Sequence, residues 1–305
     1  MFYLVVLFLI YSYNKFGDFM SRTKGKRFAD KHEQKRLKKK NQICQDDTNL
    51  NEKKSKKKKN KLFYNIIIII CLCVIAYSLY NIIKWAIENK QNNDLLADVQ
   101  NLANIKHEEV VIDDNPITVA HYDFTELLKK NVDTVGWVYV PNSKIDYPVV
   151  QTTNNDYYLN HSFDRKENSA GWVFADTACD VKTSKNVVIY GHNRKDTSMF
   201  GSLKNVFEDS WISVPENNYI TFANLDETGV YKIFSAFVVN DEHVESYLNC
   251  NFKSDEEFKA YLKKIKSSSN QSFDTDIENA EKIITLYTCY GMNNQRLLVF
   301  AVKVL

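Results

Sequence analysis

The chain has 305 residues and a formal net charge of only +2, because 40 Lys and Arg nearly balance 38 Asp and Glu. The charge is unevenly distributed: residues 15–61 carry 18 Lys and Arg against 6 Asp and Glu, a local net of +12 that leaves −10 for the rest. Aromatic residues make up 13% of the chain, with only 8 Gly and 4 Pro, which excludes a chain that is disordered or fibrous throughout. We therefore expect a basic tail joined to an acidic globular body.

The N-terminal region predicts a tail without a fold. Residues 1–13 are apolar but shorter than the roughly 20 residues that span a bilayer. Met20 is an alternative start, which would make residues 1–19 an over-extended reading frame. Residues 21–61 are polar and rich in lysine without apolar periodicity, so we predict a disordered basic tail over residues 1–61.

The next stretch predicts a membrane anchor. Residues 62–83 contain no charged side chain, and we place one transmembrane helix over residues 62–84. Lysines directly before this helix predict a cytoplasmic N-terminus and an extracellular body. The same lysines suggest a nucleic-acid-binding arm, but their position against the apolar stretch favours a topology signal. Residues 85–122 are predicted as a membrane-proximal helical stalk.

The body over residues 123–305 reads as many short strands with occasional helices. A helix is predicted from Asp123, which is a candidate N-cap, and another over residues 199–211. An amphipathic helix is predicted over residues 254–265, with Ser254 as N-cap and Glu257 at the capping-box position. The predicted strands are residues 137–140, 145–150, 171–174, 186–190, 219–222, 230–239, 283–288 and 297–304. This pattern favours a closed or partly closed β-barrel.

The six cysteines predict free thiols. Cys44 lies in the tail, and Cys71 and Cys73 lie in the apolar stretch, where the pattern is a poor metal motif. Only Cys179, Cys250 and Cys289 remain for the body. An odd number of widely spaced cysteines favours free thiols over structural disulfides.

The last two predicted strands place a cysteine beside an arginine. Cys289 ends the strand over residues 283–289, and Arg296 opens the strand over residues 296–302. Facing residues of an antiparallel pair lie roughly 4.5–5.5 Å apart. A neighbouring cation favours the thiolate and stabilises a developing oxyanion. The local pattern leaves open the alternative of a buried cysteine beside a surface arginine.

A base for this cysteine is sought among the five histidines of the body. His192 is favoured because it follows the strand 186–190 and a glycine, so it is expected at a strand end on the same rim as Cys289. Of the three arginines of the body, only Arg296 lies on the strand after the cysteine, and its rigid guanidinium suits oxyanion binding.

These residues resemble a known family. Thr285-Leu286-Tyr287-Thr288-Cys289 followed by Arg296 is similar to the T-L-x-T-C…R signature of the sortases, the cysteine transpeptidases of Gram-positive cell surfaces. Tyr190-Gly191-His192 matches their upstream histidine segment. Residues 136–151, 157–161 and 168–171 resemble class B members in particular, and the resemblance covers roughly residues 123–305. It implies a mostly-β, sortase-type closed barrel of about eight strands, with N-terminal helices and an inserted helix before the cysteine strand.

The resemblance also implies roles for individual residues. Cys289 would be the nucleophile, His192 the general acid/base and Arg296 the stabiliser of the oxyanion. Asn168, Tyr190 and Tyr287 would contribute to the substrate groove. Two features depart from the family pattern: only six residues separate Cys289 from Arg296, and Tyr287 stands where a small residue is common.

The implied activity is that of a membrane-anchored transpeptidase. It would form a thioester on Cys289 with the C-terminal sorting signal of a surface protein and transfer the acyl group to a peptidoglycan precursor amine. A sortase-fold cysteine endopeptidase, a pilus-type transpeptidase and a non-catalytic surface scaffold stay open as alternatives.

The expected partners are those surface proteins, that amine and the membrane, with no nucleic acid. No metal motif or phosphate-binding loop is found in the sequence, and Asp176 and Asp180 lack the ligand density of a calcium loop, so we expect no metal and no cofactor.

Overall fold

The computed structural model describes residues 34–291 and 294–305, and the predictions made for residues 1–33 lie outside them. The chain divides into two compact units, Met1–Tyr77 and Ser78–Leu305. The candidate site lies wholly in the second unit.

A long helix precedes the barrel. Helix α1 runs over Gln34–Leu102, and its portion from residue 61 onward is long and apolar enough to cross a membrane. Residues 34–61 are helical, where we predict disorder. The reason is that Lys, Gln and Glu are good helix formers, and extending an existing helix does not repeat the cost of nucleation.

A β-hairpin replaces part of the predicted helical stalk. Strands β1 (Lys106–Ile112) and β2 (Asn115–His121) pair in antiparallel fashion, with Ile112 opposite Asn115. The two residues between them, Asp113 and Asp114, have φ of 50° and 60°, as the two-residue type I′ turn requires. The prediction of helix is therefore wrong over residues 106–121, because this turn and the β-branched residues around it favour paired strands.

Eight strands form a closed barrel, which confirms the predicted fold class. Their order around the barrel is β10-β8-β7-β3-β4-β5-β6-β9, with parallel pairing only at β4–β5 and β6–β9. Inward-facing side chains, including the fully buried Trp137, fill the interior. Val99 of α1 belongs to the same core, so the last turns of that helix pack on the barrel. The barrel strands are β3 (Thr134–Tyr139), β4 (Asp146–Val150), β5 (Phe174–Ala175), β6 (Asn186–Tyr190), β7 (Tyr219–Asn224), β8 (Thr228–Asn240), β9 (Ile283–Tyr290) and β10 (Gln295–Lys303).

Short helices fill the connections between the strands. The helix predicted from Asp123 is α2 (Thr125–Lys130), one residue later than expected, and the Asp123 carboxylate accepts a bond from the backbone N–H of Thr125 at 2.9 Å. Helices α3 (Asp209–Ile212) and α4 (Asp241–Val244) are single turns. Short 3₁₀ helices occupy Tyr157–Leu159, Leu203–Phe207, Pro215–Asn218 and Glu245–Tyr247.

The prediction of one helix over residues 199–211 is wrong. Met199 has a φ of 51°, and a side chain at Gly201 would lie 2.3 Å from the carbonyl oxygen of Arg194, so the chain turns tightly there. Glu208 is extended, with φ −90° and ψ 118°, and it separates the segment Leu203–Phe207 from α3. These backbone conformations break the run into short turns.

The predicted amphipathic helix is confirmed as α5 (Asp255–Ser267), with Ser254 as its N-cap. The Ser254 hydroxyl accepts a bond from the backbone N–H of Glu257 at 3.3 Å. The buried face of α5, led by Phe258 and Ile265, packs on the outer side of β8, β9 and β10. Helix α5 thus covers the outer face of the barrel at the start of β9, around Ile283.

The prediction that the body cysteines are free is wrong for two of them. Cys179, after β5, and Cys250, before α5, form a disulfide with a sequence separation of 71 residues. Among the described residues, the free cysteines are Cys71, Cys73 and Cys289. The body has an odd number of cysteines because Cys289 is a free thiol, and the other two form a pair.

We predict that this disulfide stabilises the second unit. Closing a loop of this length is expected to contribute about 2–4 kcal/mol by restricting the unfolded chain. The double variant Cys179→Ser/Cys250→Ser is therefore expected to lower the Tm of the full chain in detergent by about 5–15 °C, measured by circular dichroism. The matched control is Cys71→Ser/Cys73→Ser, for which no loss of this kind is expected. Equal melting curves for the two double variants would contradict the prediction.

Candidate active site

Strand β9 carries Cys289 between two neighbouring strands. On one side, β10 pairs with β9 in antiparallel register and places Arg296 directly opposite Cys289. On the other side, β6 pairs with β9 in parallel register, with Tyr190 beside Tyr287. The predicted pairing of Cys289 with Arg296 is confirmed, and the short spacing between them is that of a tight hairpin.

Hydrogen bonds continue the β6–β9 alignment past the last paired residues. The Gly191 N–H donates to the Tyr287 carbonyl at 3.1 Å, and the buried Thr288 hydroxyl donates to the Gly191 carbonyl at 2.7 Å. The Asn193 side-chain amide donates to the Cys289 carbonyl at 2.8 Å. His192 lies between these anchored residues, so its backbone is held at the same rim as Cys289.

The His192 ring is fixed by the loop that precedes β5. Its Nε2 lies 2.7 Å from the carbonyl oxygen of Leu159, and because a carbonyl only accepts, Nε2 carries the hydrogen in this arrangement. Gly171 backs the ring: it has a φ of +59°, and a side chain there would lie 2.9 Å from His192 Cδ2. The glycine is thus required both for the turn and for the space that the imidazole occupies.

The site faces the outside of the barrel. Alternate residues of β9 point inward, with Ile284 and Leu286 in the barrel core, so Tyr287 and Cys289 share the outer face. Cys289 is exposed. Helix α5 covers the same face further along β9, and the outer surface is open where that cover ends.

The Arg296 guanidinium is held through Nε and Nη1 by two hydrogen bonds and one ion pair. Its Nε lies 3.0 Å from the Asp241 carboxylate and donates to the Tyr287 hydroxyl at 2.8 Å, while Nη1 donates to the Gln295 carbonyl at 3.1 Å. Burial by itself lowers the pKa of Arg296, but the nearby Tyr287, Cys289 and Asp241 outweigh it and raise the pKa above its usual value. The guanidinium is therefore a fixed cation in the field of Cys289.

Two tyrosines line the outer face between the candidate residues. The Tyr190 and Tyr287 rings meet edge to face, with centroids 4.8 Å apart, and Tyr190 also stacks on Phe174 at 5.1 Å. The Tyr190 hydroxyl donates to the Asp176 carboxylate. Burial, then that carboxylate, raises the pKa of Tyr190 well above its usual value, so it stays a neutral donor. Burial likewise raises the pKa of Tyr287, although Arg296 opposes it.

The segment after β8 borders this face. Leu248 packs with Tyr190 against the Cys179–Cys250 disulfide, and Asp241 at the start of the segment contacts Arg296. Tyr190, Tyr287 and Arg296 form a row on the outer face, and the segment is anchored near both ends of it. The disulfide fixes the segment at the Tyr190 end.

The structure does not place Asn168 in this row. Its side chain is only 5% exposed and its amide donates to Asn92 of α1 at 3.0 Å, while its oxygen accepts from the Ala170 N–H at 2.9 Å. Asn168 is thus buried under the last part of α1, and its predicted contact with the substrate stays a prediction. Asn168 supports the turn that places Gly171 behind His192.

The residues that sequence reasoning missed act through backbone atoms or through another side chain. They are Leu159, Asn193, Asp241 and the hydroxyl of Thr288. Of these four, only Thr288 could have been identified from the sequence, since it belongs to the T-L-x-T-C motif. Asp176 and Asp180, considered above for calcium, bond to the Tyr190 hydroxyl and to the backbone N–H groups of residues 182 and 183.

Known proteins are similar to this chain in sequence and in fold. The Sortase domain family matches residues 138–304, more than half of the chain. Sortase B of Listeria monocytogenes is 30% identical over 223 residues, which cover 72% of this chain and 87% of that protein. The crystal structure of sortase B from Bacillus anthracis in complex with AAEK1 has a TM-score of 0.60 and 30% identity, covering 72% of this chain and 98% of that one. Clostridium perfringens sortase B has a TM-score of 0.56 and 31% identity, covering 60% and 100%. The chain thus belongs to the sortase family of cysteine transpeptidases, and within it to class B.

Proposed function

We propose that the protein is a membrane-anchored transpeptidase that attaches surface proteins to the cell wall through a thioester on Cys289. The observation that carries this proposal is the position of the exposed Cys289, with Arg296 opposite it on β10 and His192 at the end of the strand on its other side. A nucleophile, a proton carrier and a fixed cation on one rim are the groups that acyl transfer requires.

In the first step, the Cys289 thiolate attacks the carbonyl carbon of the sorting-signal peptide. A C–S bond forms, and the tetrahedral oxyanion collapses with cleavage of the C–N bond. His192 in its protonated form gives a proton to the leaving amine, which departs with the C-terminal part of the signal. The acyl group stays on sulfur as a thioester.

In the second step, a peptidoglycan precursor amine attacks the thioester carbon. The new C–N bond forms as the C–S bond breaks, and His192 takes the proton that the amine loses. Thiolate and imidazolium are thereby restored, so the cycle needs no outside oxidant, reductant or cofactor in its proton and electron balance.

Arg296 stabilises the oxyanion in both steps. Its charge is permanent, and its guanidinium is held by Asp241 and Tyr287 beside Cys289. Removing one such donor from an acyl-transfer site typically lowers the rate by about 10²–10³-fold. Tyr190 and Tyr287 provide the aromatic surface on which the peptide lies.

The membrane placement is also part of the proposal. Helix α1 from residue 61 onward is long and apolar enough to span a bilayer, and the lysine-rich stretch before it favours an N-terminus in the cytoplasm. The catalytic unit is then extracellular, where surface proteins and cell-wall precursors meet.

The proposal is tested by following the fate of the thioester. Full-length protein in detergent micelles is incubated with a panel of sorting-signal peptides, with and without hydroxylamine as a small amine. We expect cleavage of at least one peptide, and mass spectrometry should show the acyl hydroxamate as the main product when hydroxylamine is present. Only hydrolysed product under both conditions would replace the transpeptidase by an endopeptidase, and no cleavage of any peptide would remove the enzymatic proposal.

A further inference from the structure

The contacts of Arg296 within the described residues use Nε and one hydrogen of Nη1, and they leave the outer end of the guanidinium open. Nε is shared by the Asp241 carboxylate at 3.0 Å and the Tyr287 hydroxyl at 2.8 Å. Nη1 reaches back to the carbonyl of the neighbouring Gln295 at 3.1 Å. Within the part of the chain that the structure describes, Nη2 has no bonding partner. The hydrogens left over for a substrate atom are therefore both of those on Nη2 and the second one on Nη1, at the outer end of the guanidinium.

Asp241 is itself fixed by the strand ends. It follows directly after Asn240, the last residue of β8, which pairs with Gln295 beside Arg296. Its backbone N–H donates to the carbonyl of Asn294 at 2.9 Å. The carboxylate is thus tied through its own backbone to the connection between β9 and β10. Its side chain is 45% exposed, whereas that of Arg296 is only 18% exposed.

Tyr287 is fixed from the other side. It lies two residues before Cys289 on β9, so the two side chains point to the same face about 7 Å apart along the strand. The Tyr287 ring packs edge to face on Tyr190, with centroids 4.8 Å apart. That contact limits the rotation of the ring and hence the position of its hydroxyl.

We propose that Asp241 and Tyr287 are positioning residues that hold Arg296 by Nε, so that its free end is presented to the acyl group on Cys289. The inference rests on the proposed function of Arg296 as oxyanion stabiliser. It gives the unusual Tyr287 of the T-L-x-T-C motif a task that a small residue at this position does not perform. It also assigns the first residue after β8 to the site, although Asp241 itself touches no reacting atom.

We call the two contacts of Asp241 and Tyr287 with Nε the clamp. Such a clamp is needed because the arginine side chain is long. Four rotatable bonds allow the guanidinium many positions, and a displacement of about 1 Å at a reacting group costs up to 10²-fold in rate. Here Arg296 is the second residue of β10, close to the connection between β9 and β10. Two acceptors share the single Nε hydrogen, Tyr287 on β9 and Asp241 directly after β8, and together they fix the direction of the group.

The test is a double-mutant cycle in the full-length protein, with peptide cleavage as the assay. Asp241→Ala is expected to lower kcat about 10-fold while KM changes less than about 2-fold, because the clamp acts on the oxyanion and not on peptide binding. Tyr287→Phe keeps the ring and removes the acceptor, and a smaller loss, about 3–10-fold, is expected. Glu242→Ala changes the exposed neighbouring acid and is the matched control, with activity expected to equal wild type.

The same substitutions are then made in the Arg296→Ala background. If Asp241 and Tyr287 act through Arg296, neither change lowers the remaining activity further. A loss by the same factor in both backgrounds, or no loss in either, overturns the proposal. If Arg296→Ala is itself as active as wild type, the oxyanion role in the proposed function fails instead, so the two failures are distinguishable.

A second variant decides the case where the Arg296→Ala background is too slow to measure. Asp241→Asn removes the charge but retains an oxygen acceptor for Nε. Recovery to within about 3-fold of wild-type kcat supports the clamp, whereas a loss equal to that of Asp241→Ala overturns it. Tm values measured alongside identify any variant that has lost its fold.

Discussion

Replacing Cys289 by alanine is expected to lower peptide cleavage by at least about 10⁴-fold, which in practice abolishes it. Among the described residues of the second unit, Cys289 carries the one free thiol, so its loss removes the atom that forms the proposed thioester. The measurement has two parts: cleavage of the sorting-signal peptides by chromatography, and mass spectrometry of the intact protein for the acyl-enzyme. Both signals are expected to vanish in the variant.

The matched control uses the other free cysteines of the described chain. Cys71→Ala and Cys73→Ala remove thiols that lie in the apolar part of α1, and wild-type activity is expected for both. Cleavage by Cys289→Ala at a rate within about 10-fold of wild type contradicts the proposed chemistry, because among the described residues no other free thiol lies in the second unit.

The hairpin that carries Cys289 was predictable because its signals are local. The run of β-branched and aliphatic residues from Ile283 marks a buried strand, and a short polar connection to a second such run gives a hairpin with little freedom in register. Arg296 therefore had to lie near Cys289, and the structure pairs them directly. The placement of His192 was less constrained, since it depends on a parallel pairing between strands almost 100 residues apart.

The disulfide was missed because its evidence is not local. Cys179 and Cys250 are 71 residues apart, and each lies in a connection whose path the sequence does not specify. The odd number of body cysteines indicates free thiols only if the reactive cysteine and the two paired cysteines are counted together. Once Cys289 is set aside as a reactive thiol, the remaining pair in a domain predicted to be extracellular favours a disulfide.

The burial of Asn168 could not be predicted for a related reason. The motif that contains it placed it near the site in sequence, but the last part of α1 packs over this loop and takes up its amide. Ser169 likewise bonds to Glu88 of α1. Helix α1 was predicted only as an anchor and stalk, but its last part also covers the loop that supports His192. Tertiary covering of this kind leaves no trace in the local pattern of either segment.

His192 is expected to show its role through the leaving group of the substrate. His192→Gln retains a donor that can still reach the Leu159 carbonyl but cannot carry a proton through the cycle. We expect a loss of about 10³-fold on peptide substrates, whose amine must be protonated as it departs. On an activated ester of the same acyl sequence, whose leaving group departs without a proton, the loss should be roughly 10-fold, because only thiolate formation is affected.

The comparison of the two substrates separates proton transfer from support of the fold. His107→Gln, which changes an exposed histidine on β1, is the control and is expected to leave both rates at the wild-type level. A His192→Gln loss of equal size on peptide and ester would mean that the ring only holds the rim together through Leu159 and Gly171. A large difference between the two losses places the proton on His192, since the ring contacts in the free protein are the same whichever substrate is cleaved.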